Sequence, residues 1–302
     1  MQSQQTDLGT APVGKLLTRL AVPAITAQMV NMLYNLVDRV YIGHLPDVGT
    51  QALTGVGVCF PIIMLVSAFA ALVYSGGAPR ASIEMGKRNN DEAERILGNC
   101  TALLVVVSLV LTLALSRWSR PLLLLFGASE ATIDYAASYM RIYALGTIFV
   151  QLALGLNAFI TCQGFAKTSM LTVLIGAVLN TVLDPLFMFA LNMGVQGAAL
   201  ATLISQAVSA IWVVCFLTGK KTILKLRSVN LRLNWKRLGP CVALGLAPFI
   251  MQSTESLIAV CFNTSLRTYG GDLAVGAMTI LTSINQFALM PLQGLSQGAQ
   301  PI

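Results

Sequence analysis

Apolar residues run along this chain in long unbroken stretches, and charge is confined to the gaps between them. No Asp, Glu, Lys or Arg occurs across Leu20–Val37 (18 residues), Val48–Pro79 (32), Ile96–Ser116 (21) or Ile142–Ala166 (25). Between Lys167 and Lys220 the only charge is Asp184, so these 52 residues must hold two crossings, with Asn192-Met193-Gly194 as the turn. Leu238–Arg267 holds a seventh crossing interrupted by Glu255, and Leu273–Ile302 an eighth. A helical crossing needs about 20 apolar residues, whereas a barrel strand would show roughly ten residues of alternating polarity. A helix also satisfies its own backbone hydrogen bonds within one segment, as hydrocarbon demands. The pattern predicts an all-α polytopic membrane protein with eight transmembrane helices.

Composition agrees with the pattern. Of 302 residues, 56% are hydrophobic and 10% charged, against about 25% charged in an average soluble domain. A soluble enzyme, a disordered tail and a nucleic-acid-binding domain are thereby excluded. The net charge of +7 comes from basic residues set between apolar runs, not from one basic face. No HExxH or GxSxG motif occurs and the one histidine, His44, follows an apolar run beside Leu45-Pro46 as an interfacial loop residue. No catalytic residue is therefore assigned, and the chain is read as not an enzyme. The six cysteines form no CxxC pair, so neither a zinc site nor a disulfide framework is indicated. Residues 1–14 lack the features of a signal peptide.

Loop charge sets the orientation. With the N-terminus inside, the cytoplasmic pieces carry 14 of the 19 basic residues and the outer pieces 5, which favours a cytoplasmic N-terminus. Lys220 to Arg237 is then a cytoplasmic connector facing anionic headgroups. It separates two similar stretches. Leu20-Ala21-Val22-Pro23 resembles Leu246-Ala247-Pro248, with prolines 225 apart; Ala52 matches Ala274 at 222, and Gly77-Ala78-Pro79 matches Gly298-Ala299-Gln300-Pro301, with prolines 222 apart. Such order suggests an internal duplication of a six-helix unit. An even number of helices makes the copies parallel repeats, as in many secondary transporters. The expected organisation is a polar cytoplasmic tail (1–14), a complete six-helix lobe (15–219), the basic connector (220–238) and the first two helices of a second lobe (239–302). Two copies at that period need some 450 residues, so the chain reads as one lobe plus two helices, not competent for transport alone.

Three acids resist placement in loops: Asp38, Asp184 and Glu255. A carboxylate at membrane depth costs several kcal/mol unless protonated, paired or hydrated, which makes each a functional hypothesis. Asn180 lies four residues before Asp184 on the same helical face. Pro185 follows, removes a backbone donor and leaves the Thr181 carbonyl without its helical partner. Asn-xxx-Asp-Pro thus builds a small oxygen-rich pocket, whose plainer reading is a polar clamp between helices. Asp38 reads equally as an interfacial charge beside Arg39 or as part of a polar stripe with Tyr34 and Asn31. Asn157 and Thr202 could add neutral oxygen ligands, though each alone also reads as a packing hydrogen bond. Glu255, with Gln252 three residues before it, makes a second polar site or a permanently protonated carboxyl. In a desolvated site a proton, a sodium ion and a cationic substrate compete for the same oxygens, which is a physical basis for antiport.

Several pieces, in this order, resemble the multidrug and toxic compound extrusion (MATE) family. They are Leu36-Val37-Asp38-Arg39-Val40-Tyr41-Ile42-Gly43-His44, Gly76-Gly77-Ala78-Pro79, Asn180-Thr181-Val182-Leu183-Asp184-Pro185-Leu186-Phe187, Gly194-Val195-Gln196-Gly197-Ala198-Ala199-Leu200-Ala201-Thr202 and Gly294-Leu295-Ser296-Gln297-Gly298-Ala299-Gln300-Pro301. The resemblance implies twelve helices in two lobes in the cell membrane. It also implies extrusion of cationic, amphipathic compounds in exchange for H+ or Na+, with no other cofactor. It maps the first-lobe cation site to Asp38, Asn157, Asn180, Asp184 and Thr202 with Tyr34 beside it, and Na+ to Asp38, Asn180, Asp184 and Thr202. It maps a helix bend to Pro23 and a second-lobe acidic position to Glu255. The full-length protein is expected to be a monomer. A flippase for a lipid-linked or amphipathic substrate shares the two-lobe plan and is the alternative.

Overall fold

The computed structural model describes residues 12–46 and 48–299, apart from a number of side chains between 263 and 287. The tail before residue 12, the side chain of Ala274 and the Gln300-Pro301 match lie outside the described residues. Seven helices follow in order: α1 (Val13–Gly43), α2 (Gly49–Gly86), α3 (Asn90–Leu125), α4 (Ile133–Cys162), α5 (Ala166–Pro185), α6 (Val195–Thr218) and α7 (Trp235–Ala299). All are long and apolar enough to cross a membrane, α5 together with the turn that continues it. Short turns join the first six, so successive helices alternate in direction. One end of the bundle carries the 219–234 connector and the other the 44–48 loop. Large apolar side chains remain exposed around the outside, among them Leu113, Leu125, Val182 and Leu257. In hydrocarbon such a surface costs nothing, which is why the bundle can bury so little of it.

Local sequence explains several boundaries. Asn89 caps α3, its side chain accepting from the Glu92 backbone N–H, and Asp91 and Glu92 occupy the first turn, where the helix dipole favours them. The predicted turn before α6 is present: Asn192 and Gly194 have φ of 52° and 54°, and Gly194 supplies a conformation that side chains oppose. His44 caps α1 from the loop, as expected, its Nδ1 2.7 Å from the Val40 carbonyl.

The last two predicted crossings are one continuous helical element of 65 residues. Gly245 abuts the Leu72 backbone and Gly76 abuts the Cys241 backbone, so the start of α7 runs antiparallel to α2. Further along, Gly294 lies on Ile25 and Gly298 on Ala21, antiparallel to α1. Since α1 and α2 themselves run in opposite directions, the course of α7 reverses between these contacts. It therefore crosses twice without leaving the helical conformation. At each contact any side chain would overlap the partner's backbone, the small-residue packing that membrane helices use for close approach.

The connector is pinned to the lobe, a more specific arrangement than a basic linker facing headgroups. The Gln163 amide oxygen, at the end of α4, accepts from Thr222 Oγ1 (2.8 Å) and from the backbone N–H of Ile223 (2.8 Å) and Leu224 (2.9 Å). Glu94 of α3 accepts from the Lys225 N–H at 3.1 Å and pairs with Arg227 Nε at 3.1 Å. Glu92 holds Arg237 through Nε (2.5 Å) and Nη2 (3.2 Å), and Asn99 accepts from the Asn234 N–H at 2.7 Å. Lys220, Lys221 and Lys225 remain exposed. Replacing Gln163 with Leu strands the Ile223 and Leu224 backbone N–H groups, each costing about 1–3 kcal/mol when buried, whereas Thr222 keeps the Leu224 carbonyl at 2.9 Å. Gln163→Leu is expected to speed tryptic cleavage after Lys220 and Lys221 several-fold while leaving helix content unchanged by circular dichroism.

Candidate functional site

The site begins at Pro185. Its missing N–H ends α5, and the chain continues as a five-residue π-helical turn, Leu186–Ala190, with the Leu191 N–H reaching the Leu186 carbonyl at 3.0 Å. Such turns are rare and often mark functional positions. This one turns Met188 into the core, 2% exposed, directly beyond Asp184, which is 0% exposed.

Five of the predicted residues, Tyr34, Asp38, Asn180, Asp184 and Thr202, come together here. Asn180 Nδ2 donates to Asp184 Oδ1 at 3.2 Å, and it lies 3.4 Å from Thr202 Oγ1 across the α5–α6 interface. Asp38, near the end of α1, is close enough to Asp184 for the two carboxyls to interact electrostatically, and Tyr34 feels both. Asp38 Oδ1, Asp184 Oδ2 and Asn180 Oδ1 are buried without a hydrogen-bond partner. Two neighbouring carboxyls with bare oxygens form a negative, oxygen-lined site. Arg39, next to Asp38 in the chain, interacts electrostatically with it while its guanidinium stacks over the Phe60 ring, 4.8 Å from the centroid.

Other predicted residues lie elsewhere. Asn157 Nδ2 donates to the Ser169 carbonyl at 3.3 Å, and Ser169 precedes Asn180 by 11 residues, about 16 Å along the helix. Asn157 therefore does not ligate the acids in this conformation. Pro23 is buried in α1 between the two residues, Ala21 and Ile25, that rest on the α7 glycines. Glu255 is exposed on α7. Its neighbour Ser256 bonds the Pro61 carbonyl at 2.8 Å, and Gln252 lies beside Tyr74 of α2.

Two tyrosines complete the site without having been singled out from the sequence. Tyr139, 4% exposed, lies beside Thr202 and Asp38; Tyr143 stacks on it with ring centroids 6.4 Å apart and lies near Tyr34. Their spacing of four on one helix was the available signal. Among the described residues no cluster of three or more His, Cys, Asp or Glu could hold a metal; the oxygens gathered here suit a hard monovalent ion or a proton.

A family model described as MatE matches residues 23–186, more than half of the chain. The chain belongs to the MATE family of transporters. It is 24% identical over 288 residues to the multidrug export protein MepA of Staphylococcus haemolyticus, covering 95% of this chain and 63% of that protein. With MepA of Staphylococcus aureus (strain NCTC 8325 / PS 47) the identity is 23%, over 97% of this chain and 64% of the relative. The solved structure of the MATE multidrug transporter DinF-BH, a ligand complex, superposes with a TM-score of 0.91 at 35% identity, covering all of this chain and 67% of that one. An outward-facing MATE transporter of the MOP superfamily superposes with a TM-score of 0.89 at 26% identity, covering 99% and 66%. The chain thus spans under two thirds of the length of the curated relatives it matches.

In this MATE chain the Asn180 amide bridges Asp184 and Thr202. Asn180→Leu is expected to lower stability by about 1–3 kcal/mol, the cost of stranding buried partners, read as a lower melting temperature in detergent.

Proposed function

We propose that this chain provides the first lobe of a multidrug exporter, moving cationic amphipathic compounds out of the cell in exchange for H+ or Na+. The observation that carries the reading is the Asp38–Asp184 pair, buried in the membrane span with bare oxygens beside Asn180, Thr202 and Tyr34. An uncompensated carboxylate at that depth is costly by several kcal/mol, so the site is stable with a proton or cation on it. Exchange of that ion for a substrate cation couples the two fluxes. The names of the similar proteins, multidrug export and multidrug transporter, support the substrate class.

The same reading makes 15–219 a lobe, 239–302 the opening of a second, and Glu255 an acidic position in that second lobe. Pro23 is where α1 bends. The basic connector and the N-terminus face the cytoplasm of the cell membrane, and the working unit is a full-length monomer. A flippase, the alternative, would call for a basic cavity to receive an anionic headgroup, whereas this site is acidic.

The test uses cells expressing the full-length protein. Asp184→Asn, which keeps shape and removes charge, is expected to abolish ethidium efflux at normal expression, and Asp38→Asn to reduce it at least tenfold. Undiminished efflux in both would defeat the coupling assignment.

A further inference from the structure

The acids and Asn157 sit about 16 Å apart by helical rise, yet the interval between them is not apolar. On α5 the residues facing α6 are Thr172, Gly176 and Asn180, and on α6 they are Thr202, Ser205 and Ser209. Three contacts fix this register. Asn180 meets Thr202, Ser209 Oγ donates to the Thr172 carbonyl at 3.2 Å, and a side chain at Gly176 would strike Ser209 Oγ at 2.6 Å. Beyond Thr172 the polar run continues to Asn157, with Thr161 Oγ1 donating to Ser169 Oγ at 2.8 Å. Polar side chains thus form one line from the membrane-buried acids to the connector end of the lobe.

Unsatisfied atoms lie along this line. Among the described residues eight buried side-chain oxygens lack a partner, and four of them are Asp184 Oδ2, Asn180 Oδ1, Ser205 Oγ and Asn157 Oδ1. Ser205 is the telling one, because it is 2% exposed and belongs to none of the groups around the acids. A serine can usually satisfy itself on its own helix, as Thr161 and Thr172 do. Buried polar atoms left without protein partners are the usual seats of internal water. The spacing fits water too. Consecutive hydroxyls on α6 are three and four residues apart, or about 4.5–6 Å along the axis, and one water between two hydroxyls spans about 5.6 Å.

We propose that the α5–α6 seam binds a file of water molecules anchored on Ser205, forming a hydrophilic route between Asn157 and the Asn180–Thr202 pair. The route gives a proton or a small cation access to the acids through the interior of the lobe, from the connector end. This use of the route rests on the coupling reading above; the presence of the water does not. Asn157 then serves as the mouth of the route, which explains a polar side chain set so far from the carboxyls. Gly176 keeps the α5 backbone clear, so that Ser209 fills the gap with a hydroxyl in place of a methyl.

The decisive measurement is water-to-protein magnetisation transfer by solid-state NMR on the full-length, isotope-labelled protein in lipid. Transfer to Ser205 and Ser209 is expected to build up at a rate like that of surface serines, and at least fivefold faster than to Leu156, which is equally buried in apolar packing. Ser205→Val is expected to cut the transfer at Ser209 several-fold and to slow efflux, while Ser205→Thr, which keeps the hydroxyl, restores both. Build-up at Ser205 as slow as at Leu156 overturns the proposal, even where Asp184→Asn abolishes efflux. A hydrated seam with efflux unchanged in Ser205→Val overturns its role as the ion's route. A hydrated seam with efflux indifferent to Asp184→Asn strikes the coupling assignment alone and supports the water file.

Discussion

In the interior of a membrane protein a polar atom has no solvent to fall back on, and the organisation of this chain follows from where it tolerates that cost. Most of its buried polar groups are satisfied within their own helix: Thr101, Thr147 and Thr172 each donate to a carbonyl four residues back. Where that is impossible, helices are tied together. Gln151 of α4 reaches the Val66 carbonyl of α2 at 2.6 Å, and Ser256 of α7 reaches Pro61 of α2. At the Asp38–Asp184 pair the remedies are incomplete: Asn180 serves one Asp184 oxygen, while Asp184 Oδ2 and Asp38 Oδ1 have no partner. A bare carboxyl oxygen costs more at this depth than a bare hydroxyl such as that of Ser205, and that difference gives the pair its meaning.

The opposite end of the bundle shows the same economy applied to charge. Glu94, nearly buried, is matched by Arg227 and a backbone N–H, and Glu92 by Arg237. These pairs carry the chain from α6 to α7 across the surface of α3. They cost little there because water and headgroups are near. The acids thus differ by depth: those beside the connector fasten it, and those in the span keep oxygens without a partner.

Much of this was legible in the sequence, because it depends on periodicity within one helix. The apolar runs located the crossings, and Asn180 and Asp184, four apart and followed by Pro185, announced a polar pocket that is present as a hydrogen-bonded pair. What escaped were relations between helices. Tyr139 reaches Thr202 across 63 positions, and Gln163 reaches Thr222 across 59; no spacing rule connects such partners. Asn157 was grouped with the acids by family likeness, whereas its place five residues before the end of α4 puts it at another depth. The joining of the last two crossings has a related cause. Charge at Arg267 and Asp272 marks where the chain leaves hydrocarbon, but polarity does not by itself end a helix.

The glycine contacts of α7 bear on how this molecule can move. Helices usually slide over one another on flexible side chains, which act as a lubricating layer. At Gly245 on Leu72, Gly76 on Cys241, Gly294 on Ile25 and Gly298 on Ala21 that layer is missing, and backbone rests on backbone. Contacts of this kind transmit displacement with little slack. A change in the course of α1 around Pro23 would therefore carry the end of α7 with it, and α2 would hold the start of α7 still. The reversing helix is placed like a bowstring between two arms, so bending one arm changes its tension before anything else in the lobe has moved.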